Sequence, residues 1–155
     1  MALYTGKLDL ADAIAAPLVT DRPDGLWATV VVDESGKALG LAWSDAESLR
    51  EAVKTGRGVY KSRTRGLWVK GKTSGATQDL LRVDLDCDRD AIRFTVRQNG
   101  AGFCHKDTRT CWGEDRGIPE LVRKLAERLK EAPEGSYTRR LLADSGLLKS
   151  KLIEE

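Results

Sequence analysis

The hydrophobic period changes once along the chain. Through residue 98 the apolar residues come in short runs or alternate with polar ones, bounded by Gly, Pro, Asp and Asn. From Pro119 they recur every third or fourth residue. The first pattern is that of strands and turns, the second that of amphipathic helix. In order, the elements read β-β-α-β-β-β-β with mostly short links, then a helical tail. That order predicts an α+β fold with a largely antiparallel sheet and one main helix.

Residues 1–21 read as an N-terminal arm, with a short helix over 8–14 stopped near Pro17. A turn cluster, Asp21-Arg22-Pro23-Asp24-Gly25, opens the domain expected over 22–116. Strands over 26–32 and 37–43 flank a turn at 33–36 and form a hairpin. Ser44 is expected to open a helix, with Glu47 completing a capping box and Ala46, Leu49 and Val53 on one face. Gly56 ends it as a left-handed cap. Strands follow over 58–63, 67–69, 76–85 and 91–97. In the tail, 117–155, Leu121, Val122, Leu125 and Leu129 form one stripe, with Pro119 in the first turn. Ala132-Pro133-Glu134-Gly135-Ser136 breaks this helix, and a second is expected to begin after Thr138. Two such helices bury little by themselves, so the tail needs a surface on which to pack.

Composition narrows the function. Apolar residues are 41% and charged residues 32%, a globular balance. Lys and Arg number 26 against 24 Asp and Glu, a net charge of only +2. A bulk electrostatic footprint for nucleic acid is absent. No apolar run approaches a membrane span, and the first ten residues lack a signal-peptide core. A soluble, cytoplasmic protein is expected, with neither nucleic acid nor membrane as partner. The three cysteines are an odd count, which argues against a disulfide framework and leaves metal ligands, reactive thiols or buried residues.

Three segments carry chemistry. In Asp86-Cys87-Asp88-Arg89-Asp90 an extended strand would put the three carboxylates on one face and Cys87 on the other. Hard oxygen ligands suit Mg²⁺, and a thiolate suits Zn²⁺; a solvated acidic turn beside a buried Cys is the competing reading. The second segment is Cys104-His105 followed by Cys111, which with Cys87 gives three sulfur ligands and leaves a fourth tetrahedral position for water. His105, the only histidine, is a ligand, a proton shuttle, a general base or an ordinary histidine. The third segment, 61–75, is basic. Arg63 and Arg65, alternating on a strand, would clamp a phosphate. Gly71, Ser74 and Gly75 would bring backbone N–H groups to an anion, and Trp68 would stack on a base or join the core. An edge strand guarded by charge accounts equally for these residues.

Taken together and in order, these segments resemble a known family. They are Ser62-Arg63-Thr64-Arg65, Leu67-Trp68-Val69-Lys70-Gly71-Lys72-Thr73-Ser74-Gly75, Gln78, Asp86-Cys87-Asp88-Arg89-Asp90, and Cys104-His105 through Cys111. Over residues 26–114 they resemble phosphoribosyl-AMP cyclohydrolase of histidine biosynthesis, in the form fused to a pyrophosphohydrolase. Ala132-Pro133-Glu134-Gly135-Ser136-Tyr137-Thr138-Arg139-Arg140-Leu141-Leu142 and Lys151-Leu152-Ile153-Glu154-Glu155 resemble the start of phosphoribosyl-ATP pyrophosphohydrolase. The later acidic helices of that family are missing, so its activity is expected to be absent.

The resemblance implies a β-grasp-like homodimer that hydrolyses the N1–C6 bond of phosphoribosyl-AMP. It implies zinc on Cys87, Cys104 and Cys111, completed across the dimer, and Mg²⁺ on Asp86, Asp88 and Asp90. His105 is expected to handle the proton. Arg63, Arg65, Trp68, Lys70, Ser74 and Gly75 are expected to bind substrate. The chain departs from the family pattern at Lys72, Ala76, Trp112 and the pair Lys106-Asp107 after His105. A catalytically silent scaffold and a nucleic-acid module using Arg63, Arg65, Trp68 and Lys70 are the other classes considered.

Overall fold

The computed structural model describes residues 9–113, 116–131 and 133–154. The first eight residues of the expected arm, Ala132 and the final Glu155 lie outside them. The chain divides into two compact units, Met1–Glu114 and Asp115–Glu155.

The first unit is α+β. Its elements are α1 (Leu10–Ala15), β1 (Trp27–Val32), β2 (Ala38–Ser44), α2 (Ala46–Thr55), β3 (Val59–Ser62), β4 (Gly66–Val69), β5 (Gln78–Leu85) and β6 (Ala91–Gln98). Four strands form one sheet in the order β2-β1-β6-β5, and β3 pairs with β4 in a second, two-stranded sheet. The hairpins β1–β2, β3–β4 and β5–β6 are antiparallel. The central pair, β1 with β6, is parallel, with Val31 opposite Phe94. Two hairpins joined along parallel inner strands, with a helix crossing between them, make the grasp-like arrangement.

Burial follows the strand period. In β6, Ile92, Phe94, Val96 and Gln98 point inward while Arg93 and Arg97 face solvent. The core joins Val31, Leu39, Leu49, Ala52, Val59, Tyr60, Ile92, Phe94, Val96 and Phe103. In β5 the register shifts between Leu80 and Arg82, which leaves Leu81 exposed. Gln78 lies in the core because its amide is satisfied: it accepts from the Tyr60 hydroxyl at 2.6 Å and donates to Gln98 Oε1 at 2.8 Å.

Helix α2 starts one residue later than expected. Asp45 is its N-cap, accepting from the Ser48 N–H at 2.8 Å, while Ser48 Oγ accepts from the Asp45 N–H. Ser44 is instead the last residue of β2, buried, with its hydroxyl on Thr29 Oγ1 at 2.7 Å. Glu47 binds Lys61, and Ala46 is exposed; Leu49, Ala52 and Val53 form the inward face. Gly56 ends the helix with φ 63°, as expected. Helix α1 packs on α2 through Ala11, Ile14 and Ala15.

The second unit contains α3 (Ile118–Glu131), α4 (Tyr137–Ala143) and α5 (Ser145–Glu154). One long helix was expected after Thr138; two are found. Asp144 is extended, at φ −117° and ψ 101°, and its carboxylate accepts from the N–H groups of Gly146 and Leu147, so one helix ends there and another is capped. Among the described residues of these helices none is buried. Among the described residues no helix is long and apolar enough to cross a membrane.

Candidate active site

The cleft that gathers most of the chemical residues is 410 Å³ and lies between two loops, 70–76 and 102–111. Arg65, Trp68, Lys70, Ser74, Cys104, His105, Asp107 and Cys111 line it, with Leu41 and Phe103 as apolar walls.

Loop 70–76 is a tight loop with several of its donors committed within the chain. Gly71 has φ 80°, and a Cβ there would lie 2.4 Å from the backbone of Ala76 and Thr77. The Gly75 N–H donates to Gly71 O at 2.9 Å, and the Ala76 N–H to Ser74 Oγ at 3.3 Å. Gly75 does not line the cleft, and its N–H is taken by Gly71 O; Ser74 does line it.

Loop 102–111 is held from behind. Phe103 is buried against Tyr60 and Trp68, at ring separations of 6.3 and 6.5 Å. Arg109 donates to Gln98 O at 3.1 Å and to Asp33 Oδ2 at 3.2 Å, an ion pair whose acidic partner is 3% exposed. The Cys111 N–H donates to Leu39 O, and the Asp107 N–H to Cys104 O. Gly40 permits the close approach of this loop to β2: a Cβ there would meet the Phe103 ring at 2.2 Å.

The thiols differ. The Lys106 N–H and the Thr108 hydroxyl hold the Cys104 thiol below its ordinary range. Burial, and then the neighbouring Cys104, push Cys111 up. Cys104 Sγ lies 4.0 Å from His105 Nδ1. Lys70 is 6% exposed, and its Nζ donates to Ala76 O at 3.1 Å and Gly102 O at 3.2 Å. Burial lowers its pKa against the opposing pull of Cys111, Asp107 and Cys104.

Arg63 and Arg65 do not alternate on a strand. Both lie in the turn between β3 and β4, and they diverge. Arg65 lines the cleft, whereas Arg63 approaches the Trp43 ring at 5.8 Å, beside Arg22 at 3.9 Å. Trp68 is half-buried, part core and part cleft wall.

The acidic segment is a turn, not a strand continuation. β5 ends at Leu85, and Arg89 has φ 68°. Strand alternation therefore does not place the carboxylates; the turn does, with the oxygens of Asp86, Asp88 and Asp90 all within 4.8 Å of one another. Cys87 is exposed in the same turn, not buried, and lies outside the cleft. Crowding raises Asp86, but the Ala91 N–H and hydrogen bonds with Asp90 and Asp88 outweigh it and hold Asp86 low. Its partner Asp90 is raised, by Asp86 and then by the charge of Asp88. The 19–21 segment adds a carboxylate that the sequence reading passed over. Asp21 lines a 350 Å³ hollow with Asp88 and Asp90, and the Val19 N–H fixes the segment on Arg89 O at 2.9 Å.

A family model, Phosphoribosyl-AMP cyclohydrolase, matches residues 40–113, the span that holds both loops, the acidic turn and all three cysteines. A phosphoribosyl-AMP cyclohydrolase of Hyphomonas neptunium is 47% identical over 91 residues, covering 57% of this chain and 69% of that protein. This chain belongs to the phosphoribosyl-AMP cyclohydrolase family. Other relatives are longer. The histidine biosynthesis bifunctional protein his7 of Schizosaccharomyces pombe is 54% identical over 149 residues, covering 96% of this chain and 36% of its own length. The histidine biosynthesis trifunctional protein of Neurospora crassa is 53% identical over 150 residues, covering 97% of this chain and 17% of its own. The chain thus spans about a third or less of those two relatives.

The candidate site residues fit the two expected ions to different degrees. Three converging carboxylates suit a hard divalent cation. Cys104 and Cys111 open into one cleft and suit a soft one, but Cys87 stands elsewhere, so one chain brings together two of the three thiols. Sequence reading passed over Arg109, Asp33 and Gly40, and took up Asp107 only as a departure from the family pattern. Asp107 sits at φ 58° inside the cleft, and only its position two residues after His105 signalled it.

Proposed function

We propose that this chain hydrolyses the N1–C6 bond of phosphoribosyl-AMP in histidine biosynthesis. The carrying observation is the single cleft lined by two cysteines, the only histidine, Arg65 and Ser74, within the span matched by the family model. Cys104 and Cys111 would hold zinc with Cys87 of a second copy, and Asp86, Asp88 and Asp90 would hold Mg²⁺. Such ions supply a water that ionises near neutral pH and neutralise phosphate charge.

The chain's own groups do the rest. Arg65 and the Ser74 hydroxyl bind a substrate phosphate at the cleft wall. Trp68 and Phe103 give the purine an apolar surface and exclude water from its far face. His105, beside Cys104, accepts a proton from the attacking water and returns one to N1 as the ring opens. The position of Cys87 outside the cleft that holds the other two thiols supports a homodimer. The tail, 117–155, is read as part of a pyrophosphohydrolase-like unit.

The test is turnover of phosphoribosyl-AMP by the purified protein with Zn²⁺ and Mg²⁺, and again after chelation. Ring opening that chelation abolishes is expected, and Cys104→Ala should lose it while keeping the fold. No turnover with both metals present would overturn the reading.

A further inference from the structure

Lys70 belongs to the segment read as phosphate-binding, yet its ammonium is not presented to solvent. The residue is 6% exposed, and Nζ donates to two backbone carbonyls, Ala76 O at 3.1 Å and Gly102 O at 3.2 Å. Those carbonyls belong to the two loops that form the cleft. One lies at the end of the loop carrying Ser74, and the other opens the loop carrying Cys104 and Cys111. The backbone anchors the lysine as well, since its N–H donates to Gly58 O at 2.9 Å. The side chain runs beside the Phe103 ring, with Nζ 5.8 Å from the centroid. The Ala76 carbonyl also accepts from Gln98 Nε2 at 3.4 Å, so the lysine bond matters most at Gly102, where a buried carbonyl left without a donor is costly.

We propose that Lys70 is a positioning residue, whose Nζ bridges the Ala76 and Gly102 carbonyls and so sets the spacing between the Ser74 loop and the Cys104–Cys111 loop. The inference rests on the cyclohydrolase reading for its catalytic consequence, but the bridge itself does not. The cleft holds the phosphate on one loop and the reacting ring against the other. A displacement of either loop therefore costs rate more than affinity. A phosphate ligand would behave in the opposite way, with weakened binding and little change in turnover.

The experiment compares the full chain with Lys70→Met, which keeps the stem and removes both donated bonds, and with Lys70→Arg, which keeps the charge in a larger, planar group. Amide hydrogen exchange is read first. In Lys70→Met, residues 71–76 and 102–111 are expected to exchange about tenfold faster, while β5 and β6 keep their protection. Kinetics are read second. There kcat is expected to fall about a hundredfold with KM moved less than threefold, and Lys70→Arg should not restore it. Unchanged exchange in both loops, or recovery of wild-type kcat and KM by Lys70→Arg, overturns the proposal. Should Lys70→Met fail to fold, Lys70→Gln, which keeps a polar head on a shorter, uncharged stem, is read by the same exchange. Faster loop exchange in a protein without cyclohydrolase turnover would leave the bridge standing and remove the proposed function instead.

Discussion

Asp33 and Arg109 form a pair that is almost wholly enclosed, with 3% and 15% of their side chains exposed. Burial alone would raise Asp33, but the Ser35 hydroxyl, Arg109 and the N–H groups of Lys37 and Ser35 outweigh it and hold its pKa down. A carboxylate depressed in the folded state adds stability above its unfolded pKa, near 4, and loses it as pH falls through the folded value. Urea unfolding should therefore show the parent protein losing more stability between pH 5 and pH 3 than Asp33→Asn does. Arg109→Met leaves Asp33 enclosed without its cation and should cost roughly 3 kcal/mol at pH 7. The two cleft thiols also separate at this scale. In protein stripped of metal, iodoacetamide should modify Cys104 ahead of Cys111, since the first is held low by Lys106 N–H and Thr108 and the second is raised by burial. Mass spectrometry of a time course reads the order; equal rates would refute the contrast.

Local chemistry decides the elements, and it decides which of them could be read in advance. The hairpins, the left-handed end at Gly56 and the strand 91–97 follow from neighbours in sequence, and they were legible. The start of α2 was not, because two adjacent residues, Ser44 and Asp45, are both good caps. The choice falls to Thr29, fifteen residues away, which takes the Ser44 hydroxyl into the core. Asp45→Ala removes the cap and one partner of Lys61, and should lower stability by about 1 kcal/mol in chemical denaturation. The site was legible as a set of residues and not as a geometry. Cys104, His105, Cys111, Arg65 and Ser74 do share a cleft. Arg63 and Cys87 do not, because turns at 63–65 and 86–90 replace the strand alternation on which their placement was read, and Gly75 does not because its N–H closes its own loop on Gly71 O. The lysine's burial depended on Gly102, thirty-two residues on, which no local pattern exposes.

At the scale of the whole molecule the three cysteines fall in two places. In the proposed three-thiolate zinc site, Cys87 would come from one copy of the chain and Cys104 with Cys111 from another. Cys87→Ser and Cys104→Ser should each be inactive alone. Refolded together, half the random dimers are mixed and each mixed dimer has one intact site, so activity should return to about a quarter of the parent rate. No recovery would place all three thiols within one chain or outside the site.

The parallel pairing of β1 with β6 sets an order on synthesis. Val31 cannot meet Phe94 until the ribosome has delivered a strand more than sixty residues downstream. At ordinary elongation rates of about 5–20 residues per second, the first hairpin waits several seconds with one edge unmatched. During that interval the nascent chain displays Thr29, Val30 and Val31 as an open strand edge, the kind of surface that chaperones cover and that neighbouring polysome chains capture. Expression conditions that slow elongation or crowd nascent chains should therefore cost this protein yield long before they cost it stability.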